Sequence, residues 1–132
     1  MKFDAAHVLS DHAGRCRNLH GHTYRVDVSV AGDDAAEMVV DFAELKRAIA
    51  ETVLARFDHA FVYCEAFAGE REIAAVVERL GMRAVALPFR TTVENLARHF
   101  FCALAPRVPG LKAVCVWETA DNRATFEKSD LT

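Results

Sequence analysis

The segment from His20 to Val30 constrains the fold most. Tyr24, Val26, Val28 and Val30 alternate with Arg25, Asp27 and Ser29, the two-residue period of a strand with one buried and one wet face. His20-Gly21-His22 leads directly into it. Residues two apart on a strand share a face, so both imidazoles can converge on one point. Gly21 puts no side chain between them, although glycine suits an ordinary bulge equally well.

The remaining pattern supplies partners for that strand. Ala31-Gly32-Asp33-Asp34 reads as a turn and Met38–Val40 as a short returning strand. Asp41, with Glu44 three residues on, marks a helix start. Phe42, Leu45, Ile49, Val53 and Phe57 then form one apolar stripe. A less regular stretch follows Asp58-His59, with a short helix expected over 70–80 and a strand over 84–87. Thr91 with Glu94 forms a second capping pattern, ahead of a helix that carries Val93, Leu96, Ala97, Phe100, Phe101 and Leu104 and stops before Pro106. Strands are expected over 112–118 and 123–127, joined at Asp121-Asn122. This order predicts an α+β fold: an antiparallel four-stranded sheet with two main helices on one face.

Composition narrows the function. The chain has 132 residues, enough for one domain spanning 1–132, and 52% of them are hydrophobic, enough for a packed core. A net charge of -3 offers no basic footprint for nucleic acid. No apolar run approaches the ~20 residues that span a bilayer, and the N-terminus lacks a signal-peptide pattern. A cytoplasmic protein is therefore expected. Cys16, Cys64, Cys102 and Cys115 form no C-x-x-C pair and are expected as free thiols, with Cys102 and Cys115 in the core. Cys16 stands apart because Arg15 and Arg17 flank it, and cationic neighbours favour the thiolate.

Two same-face histidines make half a metal site, and a surface pair is the plainer account of H-x-H alone. His7, in the preceding segment, supplies a third candidate ligand. Three imidazoles leave a fourth position open, the arrangement of catalytic zinc, although imidazole also suits iron, copper or nickel. His59 follows Asp58 at the end of the first helix. The carboxylate could orient its ring for acid/base work, or the histidine could simply complement the helix dipole. His12 and His99 carry no sign of chemistry.

Taken together these pieces resemble the 6-pyruvoyltetrahydropterin synthase / 6-carboxytetrahydropterin synthase family. The matching segments run in order: Phe3–His7, Cys16–His22, Val39–Lys46, Phe57–His59, Thr91–Ala97 and Trp117–Asn122. The resemblance implies the tunnelling fold, whose subunits join their sheets into a barrel, here as a homo-oligomer expected to be a hexamer (a dimer of trimers). By motif, His7, His20 and His22 match ligands of Zn2+, Cys16 the catalytic cysteine, and Asp58 and His59 an acid/base pair reaching a neighbouring subunit's cysteine. Glu118 matches the residue that anchors the pterin, and Thr91 and Thr92 match a segment beside it. A carboxylate can accept both N–H bonds of a pterin's amino edge, and a glutamate ending a hydrophobic strand is otherwise hard to explain, a surface strand end being the alternative; a helix cap is the simpler reading of the threonines. Three residues separate Cys16 from His20, as in the bacterial 6-carboxytetrahydropterin synthases of queuosine biosynthesis; Asp121-Asn122 is nearer the animal branch. The implied substrate is a pterin triphosphate, 7,8-dihydroneopterin triphosphate. The alternatives are the pyruvoyl-type reaction and a non-catalytic zinc or pterin-binding module.

Overall fold

The structure of the chain is a computed structural model, which describes every residue except Asp33, Asp34, Ala36 and Thr132. Two extended segments meet first. Strand β1 (Lys2–His7) lies antiparallel to β2 (His20–Val30), pairing His7 with His20 and Ala5 with His22. The alternating apolar residues Phe3, Ala5, Tyr24 and Val26 point to one side and are buried there, as a period of two requires.

A helical run follows, made of α1 (Phe42–Ile49), a π segment (Ala50–Leu54) and α2 (Ala55–Phe57). Asp41 caps it, its side chain accepting from the Ala43 amide. Phe42 stands 74% exposed, so the apolar stripe begins one turn later, with Leu45 and Ile49 against the core. The chain then forms β3 (Ala60–Cys64), α3 (Ala68–Arg79), β4 (Ala84–Leu87), α4 (Val93–Leu104), β5 (Leu111–Trp117) and β6 (Arg123–Glu127).

The sheet has six strands in the order β4-β3-β1-β2-β5-β6. Its antiparallel half is the expected one: β1, β2, β5 and β6. The correction is that β3 and β4 extend it in parallel. The segment 38–40 is not a strand, and the turn expected over 31–34 lies partly outside the described residues. Helices α1 and α4 cover one face, where Tyr24, Phe57, Phe100, Phe101, Leu104, Val114 and Val116 form the main core. A smaller cluster of Val8, Phe61 and Ala74 lies under α3 on the other face.

Two thiols leave their expected places. Cys102 is exposed, because it follows the helical phase of Asn95 and Arg98 rather than that of Phe101. Cys115 is half-buried, since it alternates with buried Val114 and Val116 and faces the opposite side of the sheet. No helix among the described residues is long and apolar enough to cross a membrane.

Candidate metal centre and active site

The antiparallel register of β1 and β2 gathers three imidazoles at one end of the sheet. His7, His20 and His22 have candidate ligand atoms all within 4.8 Å of one another. Their ring centroids lie 4.5–5.2 Å apart. His7 is buried, while His20 and His22 are half-buried.

Backbone carbonyls fix two of the rings. His7 Nδ1–H donates to the Thr91 carbonyl at 3.0 Å, with Thr91 Oγ1 at 3.2 Å. His20 Nδ1–H donates to the Asn18 carbonyl at 2.7 Å. Each tautomer therefore turns an Nε2 lone pair inward, and these two nitrogens are 3.0 Å apart. Burial, reinforced by His20 and His22 and opposed by the Thr91 carbonyl, lowers His7 to about 4, so its ring is neutral at pH 7. His22 is also lowered, mainly by burial, against the pull of Glu118. The His22 Nε2 is buried without a hydrogen-bond partner among the described residues. Lone pairs converging this closely, with their outer nitrogens already held by carbonyls, fit a bound divalent cation.

Glu118 joins the cluster from the end of β5. Its Oε1 lies 3.6 Å from His7 Nε2 and 3.5 Å from His22 Nε2. A tight turn places it: the Glu118 and Thr119 amides donate to the Asn122 carbonyl, and Thr119 Oγ1 accepts from the Asp121 and Asn122 amides. Tyr24, two residues beyond His22 on the same face, brings its ring to 5.5 Å from that of His22 and 6.2 Å from that of His7. Burial first, then the Glu118 and Cys16 side chains, hold its phenol far above the usual range.

The two threonines divide their duties. Thr91 is buried against His7, whereas Thr92 caps α4, its hydroxyl accepting from the Asn95 amide. The cap expected at Thr91 thus falls one residue later, leaving Thr91 free to orient a ring.

Cys16 sits half-buried in a single 3-10 turn, Arg15–Arg17, on the loop between β1 and β2. The Leu9 amide donates to its carbonyl at 2.9 Å. The loop is anchored by Glu70, whose buried carboxylate accepts from Ser10 Oγ (2.8 Å), the Ser10 amide (3.2 Å) and the Cys64 amide (2.7 Å). Sequence reasoning missed Glu70 because an acid at the start of a helix normally faces water. It missed Tyr24 too, although the even-numbered phase of His20 and His22 continues into it.

Asp58 and His59 occupy a different place. His59 Nδ1–H donates to Asp58 Oδ1 at 2.9 Å, and among the described residues Nε2 has no partner on this 77% exposed side chain. Asp58 also accepts from the Asp4 amide at 3.0 Å, and this bond, with the His59 contacts, holds its carboxyl below the usual range. His59 has φ +57, in the left-handed region that few non-glycine residues adopt, and its amide donates to the Asp4 carbonyl at 2.6 Å. Asp4 alternates with Ala5 and His7 along β1, so this pair lies on the sheet face opposite the imidazoles. Beside it opens a cavity of about 570 Å³ lined by Asp4, Leu19, Gly21, His59, Phe61 and Met82 among others. The structure thus unites His7, His20, His22, Glu118 and Thr91, and sets Asp58 and His59 apart from them. His12 Nδ1 accepts from the Gly14 amide, and His99 packs among Phe57, Phe89 and Phe100.

An α+β sheet with an imidazole–carboxylate cluster on one face and a carboxylate-oriented histidine on the other defines a class of acid/base-equipped, metal-competent proteins. Comparison with known proteins gives the family. The family model described as 6-pyruvoyl tetrahydropterin synthase matches residues 1–129. The chain is 36% identical over 134 aligned positions to a 6-carboxy-5,6,7,8-tetrahydropterin synthase of Haemophilus influenzae, covering 97% of this chain and 95% of that one. It is 33% identical to a protein of the same name from Aquifex aeolicus, covering 86% and 76%. Among solved structures, 6-pyruvoyl tetrahydropterin synthase of Caenorhabditis elegans superposes with a TM-score of 0.69 at 26% identity, covering 96% and 90%. An uncharacterized Wolinella succinogenes protein, 21% identical and covering 96% and 94%, shares the fold with a TM-score of 0.78. The chain belongs to the 6-pyruvoyltetrahydropterin synthase / 6-carboxytetrahydropterin synthase family of enzymes.

Proposed function

We propose that the protein converts 7,8-dihydroneopterin triphosphate to 6-carboxytetrahydropterin, acetaldehyde and triphosphate, a step toward queuosine, with Zn2+ held by His7, His20 and His22. One observation carries the proposal: the ligand atoms of three imidazoles gather within 4.8 Å of one another, and those of His7 and His20 are turned inward by carbonyls on their Nδ1 atoms. The product branch follows the similarity to relatives named 6-carboxy-5,6,7,8-tetrahydropterin synthase.

In this reading each residue has a task. Glu118 accepts the N3–H and 2-amino N–H of the pterin, a two-point contact that sets the ring's orientation. Thr91 keeps His7 in the ligating tautomer, and with Thr92 it borders the pterin. Bound zinc supplies Lewis acidity to oxygens of the substrate side chain. Cys16 Sγ, as thiolate, removes a proton from a side-chain carbon. His59, held by Asp58 through Nδ1, delivers a proton from Nε2. The His59 of one subunit serves the Cys16 of a neighbour, a reading supported by the position of Asp58 and His59 on the sheet face opposite the imidazoles.

Purified protein incubated with 7,8-dihydroneopterin triphosphate should yield 6-carboxytetrahydropterin and acetaldehyde by mass analysis, with about one zinc per subunit by metal analysis. A product that keeps all side-chain carbons would move the protein to the pyruvoyl branch. Protein purified without chelator and lacking any transition metal would remove the zinc from the reading.

A further inference from the structure

We infer that Arg90 is a positioning residue for Cys16, fixing the cysteine's loop relative to the metal-site histidines through its ion pair with Asp11. The inference rests on Cys16 acting in the proposed reaction.

Cys16 and Asp11 are tied to one point. Both lie in the loop 8–19 between β1 and β2, and Leu9 links them. Its amide donates to the Cys16 carbonyl at 2.9 Å. Its carbonyl accepts from the His12 amide at 2.9 Å, closing a tight turn around Ser10 and Asp11. Whatever holds Asp11 therefore limits where Cys16 can stand.

Arg90 holds it from the connection 88–92 between β4 and α4. Arg90 Nη2 donates to Asp11 Oδ1 at 2.9 Å, and both side chains are more than half shielded from water. A surface ion pair contributes little where its cation swings freely, because ordering a long side chain offsets the attraction. This cation is restrained at its root. The Arg90 Nε is buried and has no hydrogen-bond partner among the described residues, so the stem is packed while the tip reaches the loop. The Arg90 carbonyl accepts from Asn95 Nδ2 at 3.0 Å, and Thr92 caps α4. The backbone that carries the guanidinium is thus anchored to a helix.

The next residue gives the ion pair its consequence. The Thr91 carbonyl and hydroxyl hold His7 Nδ1 at 3.0 and 3.2 Å. Two consecutive residues thereby grip both halves of the proposed chemistry, Thr91 a metal-site imidazole and Arg90 the cysteine's loop. Glu70 holds the same loop at Ser10, but from α3, which carries no part of the histidine cluster.

A double-mutant cycle tests the link, read at the thiol by peptide mass spectrometry of Cys16 alkylation. Arg90→Gln and Asp11→Asn should each quicken that alkylation roughly 2–5-fold, the range open to a half-exposed ion pair. The double variant should be no faster than either single one, since both remove one interaction. Each single variant should also lower kcat for 7,8-dihydroneopterin triphosphate without raising KM, by up to the ~10²-fold that a misplacement of about 1 Å costs. Bound metal should stay at the wild-type content. Arg90→Lys should recover part of both losses, because it keeps the charge without the planar fork. Arg107→Gln, which breaks the ion pair with Glu51 outside this loop, should leave the thiol rate unchanged. Wild-type thiol and turnover rates in Arg90→Gln and Asp11→Asn would overturn the inference. So would additive effects in the cycle, or faster alkylation with kcat unmoved. Wild-type protein that does not turn the substrate over would instead strike the proposed function, leaving the alkylation cycle to judge the ion pair.

Discussion

Tyr24 is buried to 1%, yet its hydroxyl has no hydrogen-bond partner among the described residues. Its ring is fully used: it stacks on Phe3 at 5.1 Å and meets the rings of His7 and His22 edge-on. The hydroxyl is thus the one part of the side chain with no structural duty, placed beside the cluster. An orphaned buried donor costs about 1–3 kcal/mol. Tyr24→Phe should therefore raise the thermal midpoint of ligand-free protein, by several degrees at that magnitude for a domain of this size. Scanning calorimetry checks it. A lowered midpoint would mean that the hydroxyl is satisfied in solution, by water or by the cluster. Weaker binding of a pterin by the stabilised variant would assign the hydroxyl to the ligand.

At the scale of elements, the legible parts of the sequence were those with a period. The alternation of β2, the stripe of α4 and the antiparallel pair β5–β6 could be read because each has one wet face. The strand β3 could not. Ala60, Phe61, Val62 and Cys64 are all buried, since α3 covers one face of the sheet there and the main core the other. A strand buried on both sides has no alternation to show. The parallel extension of the sheet was lost with it. In the site, His20 and His22 were marked by spacing, but Glu70 carried no local signal, because its partners are 60 residues back at Ser10 and six back at Cys64. That carboxylate ties the Cys16 loop to β3 and α3. Glu70→Gln keeps the shape but turns an amide donor toward groups that are themselves donors. Charge-assisted bonds of this kind are worth about 1.5–3 kcal/mol each, so urea unfolding should show a loss of roughly that size. The alkylation rate of Cys16 should change as well. A variant with wild-type stability and thiol reactivity would show that the loop is held by other contacts, such as the Asp11–Arg90 ion pair at 2.9 Å.

The whole molecule presents its chemistry on two faces, and this bears on how many chains one site needs. Along β1, Phe3, Ala5 and His7 turn toward the helices, while Asp4 turns the other way beside Asp58 and His59. Asp4 and His7 are three residues apart, about 10 Å along a strand, and on opposite sides of the sheet. The His59 side chain is accordingly exposed beside an open cavity on the face that Asp4 shares. If Cys16 of one subunit works with Asp58 and His59 of another, two individually dead variants can rescue each other. Cys16→Ala and His59→Ala homo-oligomers should each lose ~10²–10⁴ in rate, the usual cost of removing a positioned acid or base. Co-assembled in equal amounts they should recover about a quarter of wild-type activity, because a random interface draws its intact Cys16 from one variant and its intact His59 from the other with that chance. Subunit exchange can be verified by mass spectrometry of differently tagged chains before turnover is measured. Verified mixed oligomers with only the parents' residual activity would place cysteine and histidine in one chain's site. That outcome would require β1 to deliver both faces of its sheet to a single pterin, which its alternation opposes.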